Sequence, residues 1–70
     1  MRDPNRLDKI YEQMLKDHKE HFPDWRMCQT MSNFLGQVYS ETGRDPFFME
    51  DIEMLAQWNK FVEKFTGRNN

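Results

Sequence analysis

Apolar residues recur along this chain at spacings of three and four, in three stretches punctuated by proline and glycine. In the first stretch, Leu7, Ile10, Met14 and His18 share one helical stripe, widened by Tyr11 and Leu15. Asp8, Glu12, Lys16 and Lys19 fall on the outer side, with Glu12 and Lys16 spaced as a favourable pair. Asp3 is a good N-cap and Pro4 suits a first helical position, so a helix is predicted over 4–19. In the second stretch, Cys28, Met31, Leu35 and Val38 mark one face, joined by Trp25, Phe34 and Tyr39. Either Pro23 opens this helix or Asp24 caps it, and Gly43 supplies its left-handed stop, giving a span of 24–42. Ile52, Leu55, Val62 and Phe65 give the stripe of a third helix over 50–65, flanked by Trp58 and Phe61 and closed by Gly67, after which Arg68, Asn69 and Asn70 fray. Between the last two helices, Arg44 to Met49 is a turn in which one or both of Phe47 and Phe48 are expected to fold back over the core as a lid.

No alternating pattern competes with this reading, and the glycines and prolines sit at element ends apart from Gly36. The expectation is one all-α domain spanning 1–70, a compact three-helix bundle with antiparallel neighbours and one shared core. A chain of this length buries only about 60% of the surface its unfolded form exposes. It holds ten aromatic residues and six methionines. A core this small has room for about half of such bulky side chains, so the others must be exposed or meet another chain.

Charge changes the picture little. Residues 1–22 carry five charges of each sign and residues 23–44 two of each, while Asp45, Glu50, Asp51 and Glu53 make the start of the third helix acidic. Acids favour helix N-termini, which accounts for that cluster, and an acidic docking surface is the alternative. No basic patch of the kind that neutralises phosphates is written in the chain, and the best candidate for a recognition helix is uncharged, which argues against nucleic-acid binding. Cys28 is the only cysteine, which fits a reducing, cytoplasmic setting. Met1 to Pro4 begin no apolar leader, and no apolar run is long enough to cross a membrane.

Candidate chemistry is sparse. His18 and His21 are three apart, with Asp17, Asp24 and Cys28 nearby, but His21 falls where the first helix is expected to end and paired Cys or His clusters are missing, so no metal or cofactor is expected. Cys28 reads as a small buried hydrophobe rather than a reactive thiol. No nucleophile and base, and no acid and base pair, can be argued, and the chain reads as no enzyme.

The most informative segment is Met27 to Ser40, MCQTMSNFLGQVYS, which has no charged residue. Two explanations are open: this is the central helix, contacted by both neighbours, or its outer face meets another chain. Ser32 and Gly36 form a smooth strip on that face, and Gly36 costs about 1 kcal/mol relative to alanine in a helix interior. Arg26, beside Trp25, either pairs with Asp24 or the acidic start of the third helix, or anchors an interface, where Trp and Arg are over-represented. The candidate interaction surface is therefore Trp25, Arg26, Gln29, Ser32, Asn33, Gly36 and Phe47.

Arg6-Leu7, Pro23-Asp24-Trp25-Arg26, Gln29, Asn33-Phe34-Leu35 and Asp45-Pro46-Phe47-Phe48-Met49-Glu50-Asp51 together resemble a group of small helical proteins from bacteria and their phages. Their pattern is an amphipathic helix, Pro-Asp-Leu-Arg, a Gln, Asn-Leu, and a Phe-Tyr-Ile-Glu-Asp-like element before a last helix. The chain is more weakly similar to the YihD-like bacterial proteins. Trp25 stands where Leu is usual, and His18 near an expected Trp. The resemblance implies a helical domain from a prokaryote or virus and brings no site residues. The expected function is a non-enzymatic interaction protein that self-associates or binds a host protein, with a nucleic-acid-binding accessory or regulatory protein as the alternative.

Overall fold

The computed structural model describes residues 2–67, so the expected fraying of 68–70 lies outside the described residues. It is a three-helix bundle: α1 spans Arg6–His21, α2 Met27–Thr42 and α3 Asp51–Thr66, with a single 3₁₀ turn at Pro46–Phe48 before α3. The helix ends differ from expectation where local hydrogen bonds decide them. Asp3 and Pro4 form a turn ahead of α1, in which the Asp3 carboxylate accepts from the Asn5 N–H (2.9 Å). Pro23 and Asp24 neither open nor cap α2. They lie in a turn closed by the Trp25 N–H donating to the Phe22 carbonyl (3.0 Å), and α2 starts after Arg26, whose N–H donates to Gln29 Oε1 (2.7 Å). Gly43 does stop α2, in a left-handed conformation at φ 70° that other residues adopt at a cost.

α1 and α3 start at the same end of the bundle. Arg6 pairs with Asp51 (2.7 Å), Trp58 donates to Asp17 (2.8 Å), and Phe22 packs on Phe61 and Phe65. These two helices make the closest pairing, while α2 packs on α3 and on the 3₁₀ turn. Trp25, just before α2, reaches Phe65, and Glu41, in the last turn of α2, reaches Lys64 (3.8 Å). Between these flanks Phe34 packs on Trp58 and Phe61, and Arg44, two residues past α2, pairs with Glu53 in the first turn of α3 (2.8 Å). The explanation of α2 as a central helix is overturned: it lies on the outside of the α1–α3 pair.

The core is an aromatic cluster of Phe22, Phe34, Trp58 and Phe61 with Val38, Met49 and Val62. Phe34 meets Trp58 edge to face at 5.1 Å, a favoured ring geometry. This cluster sets the rotation of each helix. Thr30, Phe34 and Val38 form the buried row of α2, so Leu35 and Tyr39 are turned outward and Cys28, about 120° round the helix from Phe34, is exposed rather than buried. On α3, Trp58 and Phe61 are the centre rather than the flank; Ile52 is 80% exposed and Phe65 half exposed. On α1, Ile10 is buried while Tyr11 and Leu15 face outward.

Phe47 and Phe48 do not form a lid. They stack edge to face on each other and are 84% and 75% exposed. The Asp45 carboxylate accepts from the Phe47 N–H (3.0 Å), which shapes the turn so that Met49 enters the core instead.

Candidate functional site

The outer face of α2 follows from the rotation just described. Ser32 and Gly36 lie nearly opposite Phe34 on the helix wheel, and with Gln29, Asn33 and Ser40 they are exposed. The one charged residue of α2, Glu41, sits toward α3, where it meets Lys64 and accepts from the Gln37 amide (3.2 Å). The strip through Gln29, Ser32, Asn33, Gly36 and Ser40 is therefore neutral, with the half-exposed Glu41 at its border with α3. Gly36 has no close neighbour among the described residues: a Cβ there meets nothing within 4 Å.

Trp25, Cys28, Gln29, Ser32 and Asn33 line a shallow, open groove at the start of this face. Its floor is fixed from below. Trp25 stacks on the buried Phe22 at 4.5 Å, nearly parallel, and its other neighbours are Phe61 and Phe65. From α1, His18 Nε2 lies 2.9 Å from the Trp25 carbonyl and 3.1 Å from the Thr30 hydroxyl. A carbonyl only accepts, so Nε2 carries the proton, and this imidazole ties the 22–26 turn and the first turn of α2 to α1. His18 thus supports the groove from the apolar stripe of α1 on which its spacing placed it.

Of the candidate surface residues, Trp25, Gln29, Ser32 and Asn33 come together in the groove. Arg26 immediately precedes α2, exposed, and neither expected ion pair forms among the described residues: Asp51 pairs with Arg6 and Glu53 with Arg44, and Trp25 beside it lies against Phe65, toward the other end of α3. Gly36 continues the face one turn further along. Phe47 is exposed on the 3₁₀ turn and does not line the groove. Cys28 joins the groove although spacing placed it in the core, and the row Thr30-Phe34-Val38 is the signal that locates it. Among the described residues, no imidazole, carboxylate or cation lines the groove.

A second feature was not foreseen. Asp17 is 6% exposed, and its Oδ2 accepts from the Trp58 indole N–H (2.8 Å) and from the Gln13 amide (3.0 Å). Asp17 lies seven residues after Ile10, on the same face, and that spacing was the available sign of its burial.

No helix among the described residues is long and apolar enough to cross a membrane. Set against family models, characterised proteins and solved structures, the chain finds no match.

Proposed function

We propose that this chain is a small non-enzymatic protein-interaction domain that acts through the outer face of α2, by self-association or by docking on another protein. The observation that carries the reading is a neutral helix face open to water in a chain whose other helices are laced with charge. Burial inside the bundle would explain that composition, and α2 is not inside. Contact with another chain explains it equally well, because interface centres are depleted of charge. Gly36 points the same way. It costs about 1 kcal/mol of helix stability, nothing among the described residues approaches it, and a close helix contact would use the space.

A protein fits this face better than a nucleic acid. Phosphate recognition draws on cations, and among the described residues none lines the groove. The groove adds Trp25, held rigid by ring stacking, as an anchor of the kind that dominates interface energies. A bacterial or phage protein of the cytoplasm, where the exposed Cys28 stays reduced, is the setting that matches.

Sedimentation over a range of concentrations, wild type beside Gly36→Leu, tests the reading. A wild-type mass above one 8.6 kDa chain that falls to one chain in Gly36→Leu supports self-association. If both stay single, the two proteins are immobilised and exposed to an extract of the native host. A partner held by wild type and lost by the variant supports docking; the same proteins on both, or none on either, overturn the proposal.

A further inference from the structure

Two charged residues border the neutral strip of α2, and they stand at its opposite ends. Arg26 immediately precedes the helix, and Glu41 lies in its last turn, about 22 Å further along the axis. Arg26 is exposed and makes no ion pair among the described residues. Glu41 is half-exposed, and its contact with Lys64 is loose at 3.8 Å. Between them Gln29, Ser32, Asn33, Gly36 and Ser40 are exposed and uncharged, so two copies of this strip can meet without repulsion.

The placement of the two charges selects one orientation for such a meeting. A parallel copy sets Arg26 against Arg26 and Glu41 against Glu41. An antiparallel copy sets Arg26 of each chain beside Glu41 of the other, and the two-fold axis makes that contact twice. Opposed helix dipoles favour the same orientation. The register that joins these charges also orders the middle of the helix. It brings Ser32 of one copy against Gly36 of the other and Gln29 against Ser40, with Asn33 near the axis. The smallest side chains thus meet where two backbones come closest, over the open space at Gly36. A shallow crossing of about 20°, common for packed helix pairs, keeps both ends within reach of each other.

We infer, building on the reading of this face as a contact surface, that its occupant is a second copy of the chain. The two α2 helices run antiparallel about a two-fold axis near Asn33, and Arg26 of each copy pairs with Glu41 of the other.

Charge reversal in the full chain tests this. Arg26→Glu puts an acid at the start of α2 and Glu41→Arg puts a base at its end, where the helix dipole favours each, so the fold is kept. Either variant alone sets like charges together at two symmetric contacts. Its dissociation constant, from sedimentation over a range of concentrations, should rise by about tenfold over the two contacts. Mixed in equal amounts, the two variants should recover association as a mixed dimer, because every Glu then faces an Arg. Native mass spectrometry with a mass tag on one variant identifies that dimer, and a purely structural role for either residue gives no such recovery. A wild-type chain that stays single at every concentration overturns the second copy as occupant and leaves docking on another protein standing. A dimer that Gly36→Leu dissociates but charge reversal leaves unchanged, or that mixing does not restore, overturns the antiparallel pairing and leaves the α2 face as the contact.

Discussion

Replacing Gly36 with alanine should strengthen the fold and weaken the proposed contact at once. Gly36 lies in the interior of α2 and is exposed, and it does not take the left-handed conformation seen at Gly43 and Gly67. Alanine is favoured over glycine in a helix interior by about 0.8–1.0 kcal/mol. The new Cβ meets nothing within 4 Å, so no steric cost offsets that gain, and an exposed methyl adds little burial. The isolated chain should therefore gain about 1 kcal/mol, or about 4–8 °C in melting temperature for a domain of this size. Urea unfolding of dilute protein, followed by tryptophan fluorescence, reads this as a higher midpoint with an unchanged slope. The same methyl would hold two helices apart at the α2 face, so association should fall as stability rises. A Gly36→Ala chain that is no more stable than wild type would refute the open environment read at this position. One that gains stability and keeps full association would place the contact elsewhere.

Asp17→Ala should destabilise the chain by about 1–3 kcal/mol, because it leaves the fully buried Trp58 N–H without an acceptor. The loss should shrink in a Trp58→Phe background, where no donor is left unpaired, and a double-mutant cycle on chemical denaturation that shows strict additivity would sink this account. The hydrogen bond from the Arg44 guanidinium (2.8 Å), then that from the Glu50 N–H, hold the Glu53 carboxyl below the usual glutamate range. A depressed folded value means that this contribution is complete above the unfolded glutamate's value and disappears as pH falls through the folded one. Carboxyl carbon titration by NMR should show Glu53 moving up toward the ordinary range in Arg44→Ala, with a shallower loss of stability in acid.

The sequence by itself determined the class of the fold and the number and rough limits of its helices. Helical spacing, turn residues and the stops at Gly43 and Gly67 are local signals, and the observed helix ends fall within three residues of those they predict. The neutral run from Met27 to Ser40 was equally legible, since it is a matter of composition. Only the tertiary structure decided how each helix is turned and which one lies outside. α2 carries apolar residues around much of its circumference, so the rows through Cys28 and Leu35 or through Thr30 and Phe34 were both open to it. The choice fell to the large rings, because Phe34, Trp58 and Phe61 fill the small core only when they meet. That meeting turns Cys28 outward and leaves α2 at the side of the bundle. The burial of Asp17 has the same origin: its donor, Trp58, lies 41 positions away, and no local pattern can register a partner that only folding brings near.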